Sequence, residues 1–180
     1  MALVALAGLF ALAFLLAGTR PPSPPAGPGA ARMLGVELRL YPAADPEADW
    51  LFTAREVSYD PARKTSRIRG RVTGERRVGG ELDLRLSAEE VELDRNDNLR
   101  MRRAVVEIPR ECWRIELEGE GGTPVVIDQR RGFSAPRFTL TGPGVRVEGR
   151  EFRSDFGLKE ASWRSGREEW LSEEEVGCEN

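Results

Sequence analysis

The stretch FSAPRFTLTGPGVRVEGREFRSD, from Phe133 to Asp155, decides how this chain folds. Its two arms flank the turn signal Thr-Gly-Pro-Gly at 141–144, and in each arm apolar residues alternate with polar ones: Phe138 and Leu140 before the turn, Val145 and Val147 after it. Period-two alternation marks a strand with one dry and one wet face, and a Gly-Pro-Gly turn between two such runs makes them an antiparallel pair. Each arm also carries one interruption. Ala135 stands three residues before Phe138, and Gly149 stands three before Phe152, where strict alternation asks for an even step. A bulge or corner at the small residue restores the inward direction beyond it, because one extra residue turns the following side chains back to the original face.

The same signature recurs upstream in FTAREVSYD, Phe52 to Asp60, and LSAEEVELD, Leu86 to Asp94. Aligned on Ala54, Ala88 and Ala135, the copies place Phe52, Leu86 and Phe133 two residues earlier. Val57, Val91 and Phe138 follow at three, and Tyr59, Leu93 and Leu140 at five. Turn signals separate them: YDPARK after the first, DRNDN after the second and TGPG after the third. Alternation continues through Val36, Leu38 and Leu40, and through Leu82, Leu84 and Leu86. Strand, corner, strand and turn in series predict an all-β domain, an antiparallel sheet folded over into two layers. The copies are unequally spaced, which excludes a uniform solenoid.

With 180 residues, 40% of them apolar, the chain has room for one domain with a substantial core. Its formal net charge is −3 and its arginines are dispersed rather than gathered, so nucleic acid is not an expected partner. The count of histidines is 0, which removes the commonest general base and metal ligand. No nucleophile stands beside a recognisable base, and no catalytic activity, cofactor or metal is expected.

Residues Ala2 to Gly18, ALVALAGLFALAFLLAG, carry no charge. A helix of that length reaches roughly 25 Å, the short limit for crossing a bilayer. An uncleaved anchor is favoured over a removed signal peptide, because no small-x-small cleavage site follows in FLLAG. The proline-rich stretch through residue 33 reads as an extended spacer. The expected organisation is an anchor at 1–18, a linker at 19–33, a β-domain at 34–165 and an acidic tail at 166–180. The domain is expected on the periplasmic side of an inner membrane. The tail, REEWLSEEEVGCEN, reads either as a short helix with Ser172 and Glu175 as a capping box or as a frayed end. In an oxidising compartment Cys112 and Cys178 are expected to form a disulfide pinning the tail to the sheet.

The units FTAREVSYD, LSAEEVELDRNDNLRM and FSAPRFTLTGPGVRVEGREFRSDFGLKEASW resemble the β-rungs of the LptC/LptA (OstA-like) family of lipopolysaccharide-transport proteins. The run Val147 to Asp155 resembles the end of the LptC periplasmic domain, and a single anchor before that domain is the LptC layout. The resemblance covers roughly residues 36 to 163. It implies a two-layer β-jellyroll that takes the acyl chains of a lipopolysaccharide-like glycolipid from an inner-membrane ATP-binding-cassette (ABC) exporter. Cargo then passes to a second jellyroll through edge-strand pairing. The candidate lipid groove is Leu84, Leu86, Val91, Leu93, Phe138, Leu140, Val145, Val147 and Phe152; the same nine residues are equally suited to filling a closed core.

Three other motifs carry less. DRNDN has calcium-loop spacing at Asp94, Asn96 and Asn98 but Leu99 where glycine belongs and Val105 where glutamate belongs, so it reads as a hairpin turn. GEGG at 119–122 lacks the lysine of a phosphate loop and reads as a strand connection. Arg67, Arg69 and Arg71 read as a wet strand face.

Overall fold

The computed structural model describes residues 31–171, and these form an all-β protein. The strands are β1 (Ala31–Leu40), β2 (Ala48–Asp60), β3 (Thr65–Val78), β4 (Glu81–Leu93), β5 (Leu99–Met101) and β6 (Arg103–Ile108). After a 3-10 turn at Pro109–Glu111 come β7 (Trp113–Glu118), β8 (Val125–Asp128), β9 (Gly132–Gly142), β10 (Val145–Ser154) and β11 (Ser162–Trp170). Neighbouring strands are antiparallel throughout. The turn at 141–144 does join β9 to β10, with Gly142 opposite Val145.

Six strands close a barrel-like ring, and two long ones make the closure possible. The first half of β4, Arg85 to Ser87, pairs with β6, whereas its last residues, Glu92 and Leu93, pair with β5. In β9 the start pairs with β8 and the stretch from Arg137 to Thr141 pairs with β7. The β5–β8 pair therefore forms one wall and the β6–β7 pair the other. From β4 the sheet continues outward through β3 and β2 to β1, and from β9 through β10 to β11.

The bend lies level with Ala54 and Ala88, but the extra residue that makes it sits in the neighbouring strand β3. Between Arg69 and Val72 of β3 two residues, Gly70 and Arg71, stand against the single Glu89 of β4, a bulge with φ of 84° and 50° at the two extra positions. Gly35 of β1, at φ 61°, lies in line with it beside Ala54. On the other flank Glu151 at φ 55° and Ser165 at φ 52° mark the corner in β10 and β11. Each bend returns the next apolar residue to the dry side: Val57, Val91, Phe138 and Phe152 are all buried. Tyr59 departs from that expectation. It lies between Ala31 of β1 and Ser66 of β3, and it is exposed.

One core joins the two walls, built on Trp50, Phe52, Ile68, Leu84, Leu86, Ile115, Leu117, Ile127, Phe133 and Phe152. Side chains of this size each contribute roughly 1.5–3 kcal/mol through burial. Gly74 shows how closely they fit, because a Cβ there would lie 2.6 Å from the Phe52 ring that covers it.

Among the described residues strand continues through β11 to Trp170, past the expected limit at 165, so Arg167–Trp170 is strand rather than tail helix or frayed end. Its register explains why: Arg167 faces Glu148 and Glu169 faces Arg146, two opposite-charge pairs across the strands. Residues 1–30, with the expected anchor and most of the linker, and residues 172–180, with Ser172, Glu175 and Cys178, lie outside the described residues. Among the described residues no helix is long and apolar enough to cross a membrane.

Candidate functional site

The nine groove candidates do converge on the space between the walls. Leu84, Leu86, Val91, Phe138, Leu140, Val147 and Phe152 are buried, and Leu93 and Val145 pack against them half-buried. The Phe138 and Phe152 rings stack with centroids 4.5 Å apart. Trp50 and Phe52, also inward, stack at 5.4 Å. The space is thus occupied by the chain's own side chains.

Sequence reading missed what lines the rim of this space, at the strand ends opposite the corners. Alternation through Val72, Gly74, Arg76 and Val78 puts Arg76 on the dry face, opposite Trp50 on one side and Leu84 on the other. It is 5% exposed. Its guanidinium donates to the carboxylates of Asp45, in the loop between β1 and β2, and Asp83, in β4. It also stacks 4.0 Å over the ring of Phe156, just beyond β10. Trp50 Nε1 donates to Gln129 Oε1 at 3.1 Å, and Gln129 Nε2 donates to the Asp97 carbonyl at 2.8 Å. Ala43 N donates to Asp97 Oδ2 at 3.3 Å. The signal for Arg76 was present in the sequence, as a cation at an inward step of an alternating run.

The DRNDN turn is indeed a hairpin connection: Asp94 Oδ1 accepts from the backbone of Asn96 and Asn98, closing β4 onto β5. No cluster suited to a metal ion occurs among the described residues. GEGG lies in the connection from β7 to β8, where Gly119 N donates to Arg102 O at 2.7 Å and ties together the two points at which the chain changes wall. Cys112 takes a left-handed conformation, φ 60°, just after the 3-10 turn. Its expected partner Cys178 lies outside the described residues.

Outside the walls the surface is an arginine–glutamate lattice. Arg67 bridges Glu90 and Glu92 at 3.2 and 3.3 Å, and Arg69 reaches Glu90 at 2.9 Å. A shallow trough of about 910 Å³ crosses β6, β7, β9, β10 and β11, with Arg103, Glu118, Arg137 and Arg150 along it. The hydrogen bond from Arg103 holds the Glu118 carboxyl below the usual carboxylate range. Along the trough Arg103 and Arg137 pair with Glu118, and Arg150 pairs with Glu120.

The two ends of the sheet differ from everything between them. Among the described residues, β1 and β11 each have one side without a strand partner. They also carry most of the large exposed apolar residues: Met33 and Leu34 on β1, Trp163 and Trp170 on β11. No protein-family model matches the chain, and no curated protein matches it.

Proposed function

We propose that the chain is a membrane-anchored periplasmic adaptor of the LptC/LptA (OstA-like) kind. It accepts lipopolysaccharide or a similar envelope glycolipid from an inner-membrane ABC exporter and hands it along a bridge of β-jellyrolls. In this reading the two walls are the layers of one jellyroll and Ala2–Gly18 is its transmembrane helix. The observation that carries it is the pair of edges that no strand among the described residues covers: β1 and β11 stand at the two ends of a sheet with one continuous apolar interior, and each carries exposed apolar side chains. Soluble proteins usually conceal such edges, whereas a bridge protein uses them for strand addition. Moving an acyl chain of a dozen methylenes through water costs about 10 kcal/mol at ~0.8 kcal/mol per methylene, so an apolar passage lowers a large barrier.

A photocrosslinking amino acid at Leu86 or Phe138 is expected to capture glycolipid in cells. At Trp170 it is expected to capture a second β-protein. Lipid capture confined to surface positions would sink the carrier reading.

The filled interior favours a second reading, an anchored envelope scaffold with protein partners alone. Native mass spectrometry of the protein extracted from membranes separates the two, because a scaffold brings down no stoichiometric glycolipid.

A further inference from the structure

We propose that Arg76 is the pin of a latch that holds the two walls shut along the rim, and that its release opens the interior to an acyl chain. The second half of this statement rests on the carrier reading; the latch itself does not. Arg76 belongs to the part of β3 that pairs with the β6-side half of β4, so it stands in one wall. Phe156 follows the part of β10 that pairs with the β8-side start of β9, so it stands in the other. The stacking of the guanidinium on that ring is therefore a contact between walls. Phe156 is itself seated against Phe133, edge to face at 5.3 Å, which couples the latch to the core behind it.

The remaining links along the rim have the same character. Trp50 and Ala43 lie in the Arg76 wall, Gln129 and Asp97 in the opposite one, and what joins them is hydrogen bonds. The corner side of the sheet is different: there the strands themselves run from one wall into the other, so the walls stay connected whatever the rim does. A body joined covalently on one side and by polar contacts on the other opens like a hinge.

Chemistry at Arg76 favours release over permanent closure. An arginine is an expensive occupant for an inward position, since an apolar side chain of similar volume seals a core with no charge to desolvate. Its two carboxylate partners are partly wet, with side chains 23% and 32% exposed, so water reaches the pair as soon as the walls part. Arg76 Nε is buried without a hydrogen-bond partner. The closed form thus carries an unsatisfied donor that the open form hydrates, which narrows the gap between the two. The ring contact with Phe156 is lost on opening, whereas Asp45 and Asp83 lie in the same wall as Arg76, so the ionic contacts persist and gain hydration.

The test uses the full chain in phosphatidylcholine nanodiscs, with a diazirine-bearing palmitic acid as probe and amide hydrogen exchange as an independent measure of opening. Arg76→Gln is expected to speed exchange at the rim, in Trp50 to Thr53 and Ile127 to Gln129, at least fivefold over the parent. It is also expected to raise photolabelling of inward residues by a similar factor. Val106→Ala, a core deletion in β6, lowers stability without touching the latch, and its rim exchange is expected to stay within about twofold of the parent. Phe156→Leu keeps the arginine and both carboxylates and is expected to act as Arg76→Gln does, less strongly; it decides the matter if Arg76→Gln does not fold. Rim exchange that rises no more than in Val106→Ala overturns the latch, whatever the labelling shows. Faster rim exchange without added labelling supports the latch and overturns the carrier reading.

Discussion

β4 and β11 are both antiparallel strands carrying many charged residues, yet they end in opposite environments. In β4, Leu84, Leu86 and Val91 are no more than 1% exposed. In β11 every residue is exposed, and Trp170 is 82% exposed. Both strands are hydrogen-bonded, so pairing alone does not create a core. What β4 has in addition is a strand on each side and an opposite wall to meet its inward face; among the described residues β11 has one neighbour. Burial stabilises β4, while β11 is held chiefly by its ladder with β10 and is left available to another chain.

That contrast can be tested in decreasing order of effect. Leu86→Ala removes a fully enclosed side chain from β4, and is expected to lower unfolding free energy by about 2–5 kcal/mol in urea titration. A loss under about 1 kcal/mol would mean that the core tolerates vacancy and is already loose. Gly70→Val is expected to cost about 1–3 kcal/mol, because φ of 84° disfavours any side chain and a Cβ would lie 2.8 Å from Arg55 Cβ. The corner is then a required bend rather than a local accident.

Trp170→Ala in β11 is expected to move stability by less than about 0.5 kcal/mol, as surface changes do. The same change is expected to weaken crosslinking to a partner strand; loss of both would place β11 in the folding core instead.

The smallest effect is electrostatic. The Glu118 carboxyl titrates below its unfolded value of about 4.3, so its stabilising contribution is fully present above that pH and is lost as the pH falls through the lower folded value. Glu118→Gln is expected to lower stability slightly at neutral pH and to flatten the acid limb of the stability curve, the difference from the parent vanishing at acid pH.

Much of this architecture was legible in the chain, and the reasons are local. The step of three after Ala54, Ala88, Ala135 and Gly149 marked the bends, because inward direction is a property of each strand's own pleat. The nine inward residues were legible as a set for the same reason. Tyr59 was misjudged because exposure is set by what packs over a strand face, which the strand's own pattern does not state. Arg167 to Trp170 were misjudged because a strand of charged residues is specified by the partner it lies against.

By itself, then, the sequence determined which residues face the dry side and where each strand turns, since both follow from backbone periodicity and the steric freedom of small residues. Only the tertiary structure decided that β4 and β9 each serve two walls, that the inward residues fill the space between them, and that Arg76 bridges the rim. Those are contacts between segments as far apart as Arg76 and Phe156, and they exist only once the ring has closed.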